Sequence, residues 1–285
     1  ARLAGICAVT EADARLFLAT ARGHGGVEVL GDPRFDAVLD RRARIAPPDL
    51  PPYAPGEGTV LVVGSSWPAD EQRILPGLHE ALARDPALRV LLVPHEIHEA
   101  HLAALEAACE GLPTARFTRL AAGAPRWRVL LVDSLGQLSA LYAQAALAYV
   151  GGAFGAGVHN VLEPAAMGVP AIFGPRHRND AVAAQLLSDG LAFSVSDATA
   201  FRRVLFALLE NPARRAELGA RARAYVEAQG GAAPRSYARI RAALAARGRK
   251  RVYVLVVDGC KPGEIPADTT PHLARLRRNG TAYPR

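Results

Sequence analysis

Between residues 59 and 209 the chain runs through short, uninterrupted apolar segments, each followed by a helical pattern, and this alternation narrows the possible folds most. The apolar segments are residues 59–64, 89–93, 129–132, 147–150 and 170–173. Helical patterns lie at 70–83, 99–109, 135–145, 161–167, 181–189 and 198–209. A strand with one wet face alternates apolar and polar residues; a strand covered on both faces does not need to. Continuous apolar strands separated by helices therefore predict an α/β fold with a parallel sheet covered on both sides. Such sheets bind ligands at the carboxyl ends of their strands, so the loops that follow strands are where chemistry is expected.

The flanks read differently. Residues 16–30 suggest a helix end, a Gly-rich turn and a short strand at 27–30, and residues 31–36 a turn into a helix. Prolines at 47, 48, 51, 52 and 55 stop both helix and sheet, which makes 47–57 a linker. After Arg241 a basic helical stretch ends at Arg247-Gly248-Arg249-Lys250-Arg251, and a fresh strand begins at 252–257. The expected divisions are 1–46, the tail of one domain; 47–57, a linker; 58–246, a complete α/β domain; and 251–285, the start of another. Ala1 and the closing Ala282-Tyr283-Pro284-Arg285 read as mid-chain, so both ends are expected to be cut.

Half of the 285 residues are hydrophobic, enough for a sizeable core. The net charge of +7 is almost wholly arginine, since Lys250 and Lys261 are the only lysines. A basic surface suits nucleotides, anionic headgroups or nucleic acid, but equally a plain solvated face. Nucleic acid is the weakest of these readings, for want of an aromatic platform or a recognised motif. Cys7, Cys109 and Cys260 form neither a disulfide framework nor a zinc spacing. No apolar run approaches the roughly 20 residues of a membrane span.

Five loops follow the strands. Gly151-Gly152-Ala153-Phe154-Gly155-Ala156-Gly157-Val158-His159-Asn160 leads into a helix carrying Glu163. Its glycines, Gly155 and Gly157 among them, allow tight turns and close approach of a ligand. His159 and Asn160 can donate to phosphate oxygens near the helix start, and Glu163 can accept from sugar hydroxyls. The loop also reads as a mere tight connection: there is no GxGxxG after the first strand and no GxxxxGK[ST]. The second loop, Gly64-Ser65-Ser66-Trp67-Pro68, places Ser65 and Ser66 as ligand contacts or caps, while Pro68, Asp70 and Glu71 suit a helix N-terminus.

In the third loop, Pro94-His95-Glu96-Ile97-His98-Glu99-Ala100-His101, the spacing is HExH and never HExxH, so the zincin ligand pair is missing. Pro94, His95 and Glu96 are expected to face a ligand, His98 and His101 to be solvated. Asp133 in the fourth loop reads as an N-cap. Arg176 in the fifth, Gly174-Pro175-Arg176-His177-Arg178-Asn179, reads as an anion partner or a surface arginine.

In order along the chain, several strings resemble the 3-deoxy-D-manno-octulosonic acid (Kdo) transferase family. They are Gly64-Ser65-Ser66-Trp67-Pro68 with Asp70-Glu71; Val93-Pro94-His95-Glu96-Ile97; Asp133-Ser134-Leu135-Gly136-Gln137-Leu138; Tyr149-Val150-Gly151-Gly152 through His159-Asn160 to Glu163-Pro164; and Phe173-Gly174-Pro175. The resemblance spans roughly residues 5–245. It implies a GT-B architecture of two Rossmann-like, doubly wound domains, with the second complete here and the first present only as its tail.

It further implies a glycosyltransferase that moves Kdo from CMP-Kdo to a lipid A precursor, without a metal or other cofactor, at the cytoplasmic face of the inner membrane, with no nucleic-acid partner. Membrane contact would come through a missing N-terminal region. Ser65, Ser66, Pro94, His95, Glu96, Gly155, Gly157, His159, Asn160, Glu163 and Arg176 would bind the donor. The catalytic general base would lie in the missing N-terminal domain, so this chain alone is expected to bind donor without turnover. Another GT-B enzyme using a UDP-sugar, or a non-catalytic GT-B scaffold, remains the alternative.

At the end of the chain, Val254-Leu255-Val256-Val257-Asp258-Gly259 with Thr270-Pro271-His272-Leu273 resembles the opening of an alkaline-phosphatase-superfamily phosphodiesterase. That would make Asp258 a zinc ligand in a complete domain, and the whole a fusion of two enzymes.

Overall fold

A computed structural model describes residues 4–20, 25–45, 58–120 and 126–246. All of the expected linker at 47–57 and all of the phosphodiesterase-like segment with Asp258 lie outside these residues. The chain divides into two compact units, residues 1–238 and 239–285.

The first unit opens with β1 (Ile6–Ala8), α1 (Glu11–Thr20) and β2 (Val27–Val29), the two strands pairing in parallel. Helix α2 (Pro33–Arg44) follows, with Pro33 in its first turn and Asp32 capping it by accepting from the Arg34 amide at 2.9 Å. Phe35 and Val38 of α2 are buried in the core of the main sheet. The Asp36 carboxylate accepts from the amides of Gly231 at 2.6 Å and Ala233 at 2.9 Å. Residues 33–44 are thereby fastened to helices that come almost 200 positions later.

The main sheet contains β3 (Val60–Ser66), β4 (Arg89–Pro94), β5 (Thr114–Arg116), β6 (Val129–Leu131), β7 (Leu147–Val150), β8 (Ala171–Phe173) and β9 (Ala192–Ser194). All pairings are parallel, in the order β5-β6-β4-β3-β7-β8-β9. The connecting helices are α3 (Pro68–Arg84), α4 (Glu99–Ala108), α5 (Leu138–Tyr142), α6 (Leu162–Met167), α7 (Ala181–Ser188) and α8 (Ala198–Leu209), followed by α9 (Pro212–Ala228) and α10 (Ala232–Ala246). Among the described residues no helix is long and apolar enough to cross a membrane.

Both faces of β3 are buried, which explains its unbroken apolar run. Leu61 and Val63 join Leu92, Leu131 and Tyr149 under Ile74, Leu78, Phe201 and Leu218. Val60 and Val62 join Leu91 and Leu130 under Leu141, Tyr142 and Trp127. At about 1.5–3 kcal/mol for each large apolar side chain fully buried, the two layers supply the main driving force for folding.

The expected doubly wound α/β sheet is thus present, and three local readings need correction. The helix expected at 135–145 is only Leu138–Tyr142, because Gly136 adopts φ +84°, a left-handed turn that a helix cannot contain. Asp133 does not cap that helix; its carboxylate accepts from the Thr118 amide at 2.8 Å and from the Thr118 hydroxyl. The chain also holds α9, which begins at an Asn211 cap with Pro212 behind it, and which no reading above anticipated.

Candidate functional site

Strand β3 has β4 on one side and β7 on the other, so the order of strands reverses there. The loops leaving the two sides part at such a point, and a crevice opens between them. Here those loops are laced together. The His95 amide donates to the Ser66 carbonyl, the Gly151 amide to the Gly64 carbonyl, and Val158 and Arg176 exchange backbone bonds with the loop opposite each. Four of the five loops singled out above, after β3, β4, β7 and β8, therefore share one rim.

At the reversal point three aromatic rings meet. The Trp67 indole N–H donates to His159 Nε2 at 2.8 Å. Their rings lie within 5° of parallel with centroids 6.3 Å apart, as expected of two rings joined edge to edge through that bond. His95 stacks against both, 4.5 Å from each ring centre. Burial holds the His159 pKa below its ordinary value, the neighbouring His95 pushes the same way, and Asp70 opposes them. His159 is therefore a neutral imidazole near pH 7.

Beneath the rings is a buried polar wall. Asp70 is fully buried, and it accepts from the Trp67 amide at 3.0 Å, the Gly152 amide at 2.8 Å and the Tyr149 hydroxyl at 2.8 Å. One carboxylate thus joins the start of α3 to the Gly-rich loop. Burial and the Asp70 carboxylate push the Tyr149 phenol pKa far up, so it remains a donor. Gly152 sits at φ +91°, and a Cβ there would lie 2.7 Å from His159 Cδ2, so only glycine lets the loop pass under that ring.

Next to Asp70, the Ser66 hydroxyl donates to Glu71 at 2.8 Å, Glu71 faces His101 Nε2 at 2.8 Å, and His101 Nδ1 meets the Glu96 carbonyl at 3.0 Å. This chain links the loop after β3 to the loop after β4. It corrects two expectations. His101 is buried rather than solvated, because the first turn of α4 places it against Glu71. Ser66 is also fully buried and spends its hydroxyl on Glu71, so it supports the rim instead of lining a pocket. His98 is exposed as expected, and its ring caps α4.

The other candidates are distributed as follows. Ser65 is half-buried at φ +52°, a strained backbone for a residue with a side chain. Pro94 is buried at the end of β4, and His95 and Glu96 are exposed beside it. The exposed Asn160 side chain accepts from the Leu162 amide at 3.0 Å, at the first residue of the short α6. Glu163 is largely buried; one oxygen pairs with Arg41 of α2 at 2.6 Å and the other accepts from Ser139 at 2.7 Å. Arg176 is exposed and donates to the Gly155 carbonyl at 2.7 Å. With Gly157, Arg178 and Asn179 it borders an open depression of about 420 Å³. Among the described residues no group of three or more His, Cys, Asp or Glu could hold a metal ion.

The residues that build the site but were given no role in it are Trp67, Asp70, Glu71, His101 and Arg41. Asp70 and Glu71 look from sequence like ordinary first-turn acids, and nothing local signals that the fold buries both.

No family model matches the chain. A 3-deoxy-D-manno-octulosonic acid transferase from Chlamydophila psittaci is 37% identical over 160 residues, covering 55% of this chain and 36% of that protein. One from Bordetella pertussis is 31% identical over 222 residues, covering 75% of this chain and 51% of that protein. The chain thus spans between about a third and a half of these curated relatives. Among solved structures, the C-terminal CMP-Kdo binding domain of WaaA from Acinetobacter baumannii is matched over 96% of its length and 66% of this chain, with 26% identity and a TM-score of 0.55. The chain is therefore similar in sequence to Kdo transferases and in fold to the C-terminal CMP-Kdo binding domain of WaaA.

Proposed function

We propose that this chain is the donor-binding half of a Kdo transferase, holding CMP-Kdo while the sugar is passed to a lipid A precursor in lipopolysaccharide synthesis. The observation that carries the reading is where the family-like strings come together. Those containing Trp67, His95 and His159 come from three separate loops and meet at the reversal point of the sheet. The similarity to a domain described as CMP-Kdo binding, matched over nearly its whole length, supports the choice of nucleotide.

In this reading His159 and the free end of Asn160 donate to the phosphate, and Glu163, held by Arg41 and Ser139, faces the ribose. Exposed Arg176 and Arg178 stabilise the negative charge that grows on the departing phosphate. No resident metal is needed for that step. The acceptor hydroxyl needs a general base, which the reading assigns to a carboxylate of the family's N-terminal domain. The acceptor is a lipid, so the reaction would take place at the cytoplasmic face of the inner membrane. The reading also takes residues 251–285 as the start of a fused phosphodiesterase-like domain, on the pattern around Asp258 alone.

Calorimetric titration with CMP, UMP and GMP tests the proposal. CMP is expected to bind preferentially, and Glu163→Ala to weaken it. A folded chain that binds none of the three, or prefers UMP, overturns the donor assignment.

A further inference from the structure

We propose that Trp67 is a positioning residue that fixes His159 as the tautomer carrying its proton on Nδ1, so that the crevice offers its ligand one directed, uncharged N–H donor. An indole nitrogen can only donate a hydrogen bond. Its partner at 2.8 Å is His159 Nε2, which must accept and so carries no proton. In a neutral imidazole the single proton then sits on Nδ1.

The ring is also held in place. His95 covers one face at 4.5 Å, the Gly152 backbone approaches closely enough to exclude a Cβ, and Trp67 occupies the Nε2 edge. The Nδ1 edge remains. Nδ1 has no hydrogen-bond partner among the described residues, and it is not among the buried atoms left unsatisfied, so it reaches solvent. The low basicity of this imidazole, from burial first and His95 second, keeps it in the neutral form on which the assignment depends.

The ligand group that fits is an oxygen acceptor such as a phosphate oxygen, recognised by direction rather than by a cationic histidine. Trp67 touches no ligand in this scheme; it acts through the ring beside it. That the ligand is a nucleotide phosphate rests on the function proposed above, whereas the tautomer does not.

The test has two parts that separate these claims. Nitrogen-15 NMR of the ligand-free chain is expected to show His159 Nδ1 protonated and Nε2 bare. In Trp67→Phe, which keeps a ring and removes the N–H, the tautomers are expected to mix and CMP affinity to fall about three- to tenfold, the value of one directed hydrogen bond. If Trp67→Phe does not fold, 3-benzothienylalanine placed at position 67 keeps the indole shape without the N–H and serves the same purpose. A protonated Nε2 in the unaltered chain overturns the proposal, as does CMP binding that is unchanged when the N–H is removed from a folded chain. An Nδ1–H tautomer in a chain that binds no CMP upholds the role of Trp67 and removes the donor-site reading instead.

Discussion

The inner wall and the outer lip of the crevice are both polar, yet they are built in opposite ways. In the wall, Ser66, Asp70, Glu71 and His101 are all buried, and each side chain is matched to a partner on another loop or helix. On the lip, His95, Glu96, Asn160, Arg176 and Arg178 are exposed. Buried polar groups cost free energy unless every partner is present, so the wall is all-or-none. Exposed groups can lose a partner cheaply, so the lip is free to be shaped by its ligand. In the function proposed above, stability and recognition are thus divided between two shells of similar composition.

Mutations can break this contrast. The largest expected effect is from His101→Ala, which leaves the buried Glu71 carboxylate with only Ser66 as a partner; about 3–5 kcal/mol of stability should be lost in denaturant titrations. Gly152→Ala follows, at about 2 kcal/mol or more, because it forces a side chain into a left-handed backbone beneath His159. It should also displace that ring and abolish CMP binding measured by calorimetry. Arg41→Ala sits between the two classes. Its guanidinium is half exposed, so solvent screening limits the loss to about 1 kcal/mol or less, although Glu163 loses one of its two anchors.

A pH titration sharpens the comparison. The folded-state pKa of His159 is depressed below its unfolded value near 6.5, so the unfolded chain binds more protons in that window. This contribution to stability is complete above about pH 6.5 and is lost as the pH falls through the folded value. Thermal melts across pH 5–8 should therefore show acid destabilisation that His159→Gln reduces; an identical pH profile for the variant would contradict a depressed histidine. The smallest stability effect belongs to the lip. Arg176→Ala should alter stability by no more than about 0.5 kcal/mol while weakening CMP binding about tenfold.

The sheet was legible because strands buried on both faces write their burial directly as apolar runs, as residues 60–63 do. Strands β5 and β9 lie at the two edges of the sheet and are only partly buried, so they write no continuous apolar run. Helix α9 had a readable signal in Asn211-Pro212, but its arginine-rich body hides the stripe formed by Leu218, Ala222 and Val226. At the site, the loops could be found because glycines and polar residues follow strand ends. Their internal roles could not. His101 and His98 are three positions apart in the same HExH run, yet one is buried and the other is wet. That difference depends on Glu71, thirty residues earlier, whose approach only the folded sheet creates.

Asp36 has a consequence for how the molecule is made. Its carboxylate holds the amides at the start of α10, 195 and 197 positions further on. Contacts so distant in sequence close late, since the loop between them must first be ordered. On the ribosome α2 emerges long before α10, and the apolar face it carries waits while the sheet between them is made. A chain stalled before residue 225 would leave Phe35 without the Tyr225 ring that packs against it, an invitation to chaperones or proteases. Pulse-chase proteolysis of nascent chains of increasing length should therefore show residues 33–44 becoming protected abruptly, in step with α9 and the start of α10 rather than with their own synthesis.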